Sequence, residues 1–339
     1  MTFKKVSVIT IAGAALLAGA IGIAISLTSP NEIEIEVPEV PVEQETELSE
    51  DGIKTLENME NTPIYFDDTD TLLLPLRNVM EGLGGSVKWD TETRAAEVSF
   101  RGRTLAVQPG EKNAVLNGYE VTLPQGVEMI NGCLYADEKL ISAYYTGEVA
   151  FNRETRQVTL QTKDNTVPLL AVKEISGETD GRSYQVEVPV IVGLNDSNFE
   201  KNLNKSMMEK MQAYVETYLA AEEQSGKLRL TVQTGMCTKD FLSFWWEGSE
   251  DGISVKVAEN IDLLGQKTVT LADMLDEASL KEVETSAGED WTAEQFFLTS
   301  EGGLVLLKDS NEGGLELHYW TTEGKPLVWK AAYQKLFQK

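Results

Sequence analysis

The chain has 339 residues, 42% of them apolar, which is enough for hydrophobic cores and indicates about two folded domains plus extensions. It carries 29 basic and 55 acidic residues, a formal net charge of −26, so the phosphate backbone of a nucleic acid would be repelled. One histidine, His318, and two cysteines are too few for a dense copper or zinc site, and no nucleophile motif accompanies His318, so no cofactor is predicted.

Residues 1–29 are typical of a membrane-targeting segment. Lys4 and Lys5 precede a charge-free run over residues 6–29, which as a helix is long enough to cross the ~30 Å hydrocarbon core. This favours an uncleaved signal anchor that leaves the rest of the chain outside the cytoplasm. A weak cleavage site at residues 24–26 keeps a removed signal peptide, and therefore secretion, as the alternative.

Residues 30–60 are predicted to be an acidic linker. The stretch contains eleven acidic residues against Lys54 alone, and Pro38 and Pro41 stiffen it. A segment that repels itself and contains prolines favours an extended spacer. Its expected role is to hold the folded part of the chain away from the membrane.

A first folded module is predicted over residues 61–163. Pro75 is a good first helical residue, and the apolar residues that follow it recur at helical spacing until Gly84 and Gly85 end the helix. The next two segments, residues 87–90 and 95–100, indicate a pair of strands joined by a turn.

The same pattern returns 62 residues later, where Val149–Arg156 repeats the spacing of Val87–Arg94. Between the copies, Asn117-Gly118 is a strong hairpin signal. A helix-plus-hairpin unit that occurs twice predicts one compact α+β domain. Leu76 and Trp89 are expected in its core.

The first module resembles the bacterial stalk domain, which is also called the copper amine oxidase N-terminal-like domain. The resemblance is carried by Leu74–Arg77, Glu81–Gly84, Val87–Asp90 and Leu116–Gly118. It implies a small surface-display module. It does not imply copper chemistry, because the chain has a single histidine.

A second folded module is predicted over residues 166–339. Ser197 and Glu200 suggest a capping box at the start of a long helix with an apolar stripe. The other predicted elements are strands at 184–191, 228–233, 241–246, 253–261, 304–307 and 315–320, a short helix at 270–275, a helical and then extended segment at 291–298, and a C-terminal helix from Trp329. The predicted fold class is therefore α+β, with two small antiparallel-sheet-plus-helix domains behind the membrane helix and the acidic linker.

The second module resembles the extracellular domain shared by RsiV-type anti-sigma factors and PdaC-type peptidoglycan deacetylases. The matching segments are Val188–Leu194, Asn260–Lys267 and Phe297–Thr299. The resemblance implies envelope roles, with lysozyme sensing in one member and association with a wall deacetylase in another. We expect neither output device here, because the sequence lacks the deacetylase part and only about five residues precede the apolar run.

The favoured function is a non-catalytic cell-envelope protein that displays a binding or sensor-like ectodomain. Lysozyme, another cationic protein or peptidoglycan are the expected ligands. A passive cell-wall spacer is the first alternative, and an anti-sigma-factor-like or wall hydrolase- or deacetylase-associated protein is the second. An enzyme would need paired acids, for which Glu247, Glu250 and Asp251 are the candidates.

The predicted binding residues lie at the end of the Phe241–Trp246 strand. Neighbouring strand residues face opposite sides, so Trp245 and Trp246 cannot enter the same core. One of them is expected on an outer face, unless a second layer covers that face. An exposed aromatic ring beside acids suits a basic protein or a sugar. The complete predicted set is Trp245, Trp246, Glu247, Glu250, Asp251 and Trp320.

Overall fold

The protein is represented by a computed structural model, which describes residues 53–56, 61–145, 148–162, 166–221, 225–309, 315–320 and 326–337. These residues belong to one compact unit that spans residues 48–339. The predicted membrane helix and most of the predicted acidic linker lie outside the described residues. Within the described part of the chain, no helix is both long enough and apolar enough to cross a bilayer.

The first module consists of three small sheets and two short helices. The sheets have the strand orders β1-β12-β11, β2-β3-β10-β9 and β4-β5-β6-β7-β8. The elements are β1 (Ile53–Leu56), β2 (Ile64–Phe66), β3 (Thr71–Pro75), α1 (Leu76–Gly82), β4 (Ser86–Asp90), β5 (Ala95–Phe100), β6 (Arg103–Val107), β7 (Asn113–Leu116), β8 (Tyr119–Thr122), β9 (Glu128–Ile130), β10 (Cys133–Asp137), α2 (Glu138–Tyr144), β11 (Glu148–Phe151) and β12 (Val158–Gln161).

The predicted internal repeat is confirmed. The unit β3-α1-β4-β5 returns as β10-α2-β11-β12, and each element begins about 62 residues after its counterpart. Strands β3 and β10 pair antiparallel with Leu74 opposite Ala136, its own equivalent in the second copy. The two copies are therefore related by a local two-fold axis, and their helices contribute to one apolar core.

Two details of this module differ from the sequence-based expectations. Residues 53–56, which fall in the predicted spacer, form a strand that pairs with β12. Leu76 is buried as expected, but Trp89 is 39% exposed, because on β4 only Val87 reaches the core. The Asn117-Gly118 hairpin is confirmed, with φ values of +47° and +87° that fit a type I′ turn.

The second module is built on one large mixed sheet and one small antiparallel sheet. The large sheet has the order β13-β14-β15-β16-β18-β19, with β17 paired to β16, and the small sheet has the order β20-β21-β22. The elements are β13 (Leu169–Thr179), β14 (Arg182–Val192), α3 (Ser197–Leu219), β15 (Gly226–Cys237), β16 (Phe241–Glu250), β17 (Ile253–Ser254), β18 (Val257–Asp262), β19 (Lys267–Thr268), α4 (Leu271–Met274), α5 (Glu277–Ala287), β20 (Phe296–Leu298), β21 (Leu304–Asp309), β22 (Leu315–Tyr319) and a 3₁₀ helix (Gln334–Phe337).

The α+β class is confirmed, with mostly sheet and few helices, but the large sheet is not purely antiparallel. Strands β14 and β15 pair parallel, from Arg182 opposite Gly226 to Val186 opposite Leu230. Two parallel neighbours need a long crossover, and α3 provides it. The helix then covers one face of the sheet with a stripe that includes Leu203, Met207 and Met211, as the sequence predicted.

The start of α3 differs from the predicted capping box. The N-cap is Asp196, whose carboxylate accepts hydrogen bonds from the backbone N–H groups of Asn198 (2.9 Å) and Phe199 (3.0 Å). Glu200 turns toward the preceding strand instead and accepts from Gly193 N (2.7 Å) and Leu194 N (2.9 Å). The carboxylate therefore ties the helix to the end of β14.

The C-terminal part differs from the sequence-based expectations in one missed helix and one wrongly predicted helix. Helix α5 was not predicted, and the predicted helix from Trp329 is an isolated bridge between Trp329 and Leu275 followed by a short 3₁₀ turn. The segment after Trp329 shares an apolar cluster with Met274 of α4, and within the segment Trp329 stacks on Phe337 at 3.9 Å.

Apolar and polar contacts join the two modules. Ala171, Val190 and Val192 of the second module are buried in the core of the first module. Beside them, Glu174 N donates a hydrogen bond to Thr122 Oγ1 (3.0 Å). Strand β13 therefore packs beside β8.

Candidate functional site

The six predicted binding residues do not form one patch. Trp246 is fully buried, Trp245 is partly buried and Glu247 is exposed. Glu250 and Asp251 lie together at the tip of the β16–β17 hairpin. Trp320 follows the small sheet and is partly buried against a different apolar cluster.

Trp246 fills the place where β14 and β15 separate. Their pairing ends at Val186 and Leu230, and beyond that point the Trp246 Nε1–H donates to the Glu187 carbonyl oxygen (2.8 Å). The Glu187 carboxylate accepts from Val232 N (2.7 Å), a backbone donor on the separated strand. Trp246 therefore has a structural role between the sheet and α3.

Replacing Glu187 with glutamine is expected to raise the unfolding midpoint at pH 7 and to leave it unchanged at about pH 3. Burial raises the pKa of the Glu187 carboxyl above its ordinary 4.5; the hydrogen bond from Val232 N opposes the shift and Glu174 adds to it. The folded state thus disfavours the ionised form, so wild-type stability falls as pH rises from 4.5 through the folded pKa. Glutamine still accepts from Val232 N without a charge. Thermal melts across this range test this, and an equal gain at both pH values would contradict the charge-based cause.

The opposite face of the large sheet is covered at the position of Trp245. Its ring stacks on Phe297 of β20, with centroids 3.8 Å apart and planes 13° apart. Val305 and Leu307 of β21 complete this small apolar cluster. The sequence left open that a second layer covers this face. That layer is present, and it is formed by the small sheet.

A buried polar network fixes the small sheet to the large one. Ser243 Oγ donates to Asn260 Oδ1 (2.7 Å), and Asn260 Nδ2 donates to the carbonyl oxygen of Phe296 (2.8 Å). The Leu298 N–H donates to Ser243 Oγ (2.8 Å), so the hydroxyl both donates and accepts. Ser243 and Asn260 are at most 3% exposed, which identifies this network as a structural joint.

The most distinctive exposed feature is the tip of the β16–β17 hairpin. Asp251 and Gly252 have φ values of +50° and +86°, which fit a type I′ turn, and Glu250 pairs with Ile253 across it. The Ile253 side chain is 75% exposed at the end of this turn. We call residues 250–253 the hairpin tip.

Two side chains and one backbone N–H group from three other elements hold the hairpin tip. Arg182 Nη2 donates to Asp251 Oδ2 (3.0 Å), and the Tyr218 hydroxyl and Lys227 N donate to Asp251 Oδ1 (3.2 and 2.7 Å). The Arg182 guanidinium, whose side chain is 3% exposed, also lies 3.9 Å from the centroid of the Tyr218 ring. These contacts fix the carboxylate of Asp251 and, through it, the turn.

Glu250 is held in a similar way. The Tyr214 hydroxyl donates to Glu250 Oε2 at 2.9 Å. Burial, together with the bond to Glu250, raises the pKa of Tyr214, and burial with the bond to Asp251 raises that of Tyr218. Both phenols therefore remain protonated donors. Of the three acids in the predicted binding set, Glu250 and Asp251 accept hydrogen bonds from internal donors, whereas Glu247 is exposed.

The supporting residues were not predicted as a site. The sequence placed Tyr214 and Tyr218 on the apolar stripe of α3 and gave no signal that marked Arg182. The spacing of the two tyrosines, one helical turn apart, was the available signal. Within the described part of the chain, no group of His, Cys, Asp and Glu side chains is arranged to hold a metal ion.

Comparisons with known protein families and with curated proteins give matches that each cover part of the chain. Residues 51–160 match the family model of the copper amine oxidase N-terminal domain. A protease inhibitor from Brevibacillus choshinensis is 24% identical over 200 residues, which is 55% of this chain and 61% of that protein. A primary amine oxidase from Klebsiella aerogenes is 26% identical over 81 residues, 24% of this chain and 11% of the oxidase. The chain thus spans less than two thirds of either relative.

Two solved structures of DUF3298-family proteins are also similar. The one from Bacteroides fragilis covers 50% of this chain and 97% of its own, with 13% identity and a TM-score of 0.36. The one from Pseudomonas aeruginosa covers 45% and 88%, with 13% identity and a TM-score of 0.30. The first resemblance drawn from the sequence, the stalk module, agrees with the family match over residues 51–160.

Proposed function

We propose that the protein is a non-catalytic envelope protein whose second module binds a protein partner through the hairpin tip. The observation that carries the proposal is the combination of a 75% exposed Ile253 with a turn held by Arg182, Tyr218 and Lys227. A rigid loop loses little conformational entropy on binding, so its apolar side chain can contribute fully as an anchor. The folded modules would be displayed outside the cytoplasm behind the N-terminal apolar segment.

A protease with an apolar specificity pocket is our first choice of partner, and a subtilisin-type protease is the probe used in the test below. Support comes from the name of the Brevibacillus choshinensis relative, which aligns over 55% of this chain. A rigid exposed turn with an apolar side chain is also the kind of surface that can enter a specificity pocket. Lysozyme and peptidoglycan, the ligands that the sequence suggested, are tested as alternative partners in the same binding experiments.

The test compares binding by the full-length protein and two variants. Ile253→Asp is expected to weaken binding of a subtilisin-type protease at least about tenfold, because it places a charge in an apolar contact. Leu264→Asp is the matched control, since Leu264 is 61% exposed on another turn of the same module. Biolayer interferometry and inhibition of peptide hydrolysis are the measurements.

The results of these binding experiments distinguish a protease from lysozyme and from peptidoglycan as the partner. Equal binding by wild type and Ile253→Asp would remove the hairpin tip from consideration. Binding of lysozyme alone, weakened by Glu247→Lys and by high salt, would favour a cationic partner over a protease. Pelleting with sacculi alone would favour peptidoglycan, and no binding in any assay would favour the passive spacer.

A further inference from the structure

A cavity of about 470 Å³ lies where the two modules meet. Its apolar wall includes Pro168, Leu169 and Leu170 of the second module. Its polar lining includes Arg103 from the first module and Cys237 from the second. This volume is in the range of small-molecule sites, which are mostly apolar with a few convergent polar groups.

Arg103 is a buried cation that has no carboxylate partner among the described residues. The residue is 8% exposed, and its guanidinium donates to the carbonyl oxygens of Tyr144 (3.1 Å) and Val167 (3.0 Å). Both acceptors are neutral, and no described carboxylate forms an ion pair with Arg103. Burial lowers the pKa of Arg103, but an arginine side chain stays charged in proteins. A buried charge without a counter-charge is unfavourable, so an anion in the cavity would stabilise it.

A second donor of the lining, the Tyr144 hydroxyl, suits an anionic oxygen. The Tyr144 side chain is buried, which raises the pKa of its phenol to about 12, so the hydroxyl stays a donor. Among the described residues, none accepts a hydrogen bond from this hydroxyl. The Cys237 thiol lies beside the same space and donates to the Pro168 carbonyl oxygen at 3.3 Å.

We infer that this cavity binds a small apolar carboxylate, such as a short fatty acid. The carboxylate would pair with Arg103 while the alkyl chain packs against Pro168, Leu169 and Leu170. This inference is independent of the hairpin tip, which lies on a different part of the second module. The residues come from both modules, so the ligand would bind across their junction.

The first experiment measures binding of radiolabelled hexanoate to the full-length protein by equilibrium dialysis. Hexanoate is expected to bind with one-to-one stoichiometry, and butanoate about tenfold or more weakly, because each buried methylene contributes about fourfold in affinity. Hexan-1-ol, which has no charge, should compete poorly. Arg103→Met should weaken hexanoate binding at least about tenfold, and Arg103→Lys should weaken it less.

The second experiment locates the ligand. Hexanoate should slow alkylation of Cys237 by iodoacetamide and leave Cys133, which lines a different groove, unchanged. Thr234→Trp places a large ring at an exposed position of the lining while keeping Arg103, so it should abolish binding even if Arg103→Met does not fold. Equal competition by hexan-1-ol and hexanoate would overturn the inference. The inference would also be overturned if Thr234→Trp bound hexanoate as tightly as the wild-type protein does, or if the wild-type protein showed no measurable binding of hexanoate.

Discussion

Replacing Trp246 with alanine is expected to lower the free energy of unfolding by about 4 kcal/mol. The side chain has no solvent exposure and packs at 5.4 Å, centroid to centroid, against Phe244 in the cluster under α3. Truncation would leave a cavity and would also remove the donor that reaches the Glu187 carbonyl oxygen. Urea unfolding followed by circular dichroism measures the loss.

Two other tryptophans serve as controls for this prediction. Trp245→Ala should cost less, because Trp245 is only partly buried and contacts mainly Phe297 in the small cluster beneath the second sheet. Trp89→Ala should cost least, because that ring is 39% exposed. If Trp89→Ala destabilised the protein as much as Trp246→Ala, the assignment of Trp246 to the main core would be contradicted.

The first module was predictable because its signals are local. Proline before a helix, paired glycines after it and Asn-Gly in a hairpin act within a few residues, and the repeat supplied the helix-plus-hairpin pattern twice. Trp89 was nevertheless misplaced. The alternation along β4 shows that neighbouring side chains face opposite sides, but which side is covered depends on elements far away in the sequence.

The second module shows the same limit more strongly. Strand alternation placed Trp245 and Trp246 on opposite faces, as observed. The layer over Trp245 is formed by β20 and β21, which lie about 50 residues further along the chain and carry no sequence signal that assigns them to this face. The parallel pairing of β14 and β15 likewise depends on where α3 returns the chain.

The internal donors that hold two of the predicted acids were not visible in the sequence for a related reason. Composition alone treats every acid as a solvated charge, and in a chain of net charge −26 that is a fair expectation. Asp251 instead meets Arg182, which lies 69 positions earlier in the sequence, and Glu250 meets Tyr214. Only the fold brings these donors to the hairpin, so no short motif could have shown that the two carboxylates are occupied.

Replacing Asp251 with asparagine is expected to lower the free energy of unfolding by about 3 kcal/mol. Asparagine tolerates the positive φ of this position, so the change removes the charge without adding backbone strain. The buried Arg182 guanidinium would lose the charged acceptor that Asp251 supplies, and removing one partner of a partly buried pair costs more than the pair itself contributes. Urea unfolding measures the effect, and Glu247→Gln, an exposed acid on the same hairpin, should change stability by less than about 0.5 kcal/mol.

A second variant tests whether the position of the carboxylate matters as much as its charge. A methyl group at Gly226 would lie 2.1 Å from Asp251 Oδ1, so Gly226→Ala must displace the carboxylate that Arg182 and Tyr218 hold. We expect Gly226→Ala to destabilise the protein and to weaken any binding that depends on Ile253, since the hairpin tip would lose its fixed orientation. Full stability of both Asp251→Asn and Gly226→Ala would show that the turn holds its shape without this ion pair, and the rigidity on which the proposed binding mode depends would then lack a physical cause.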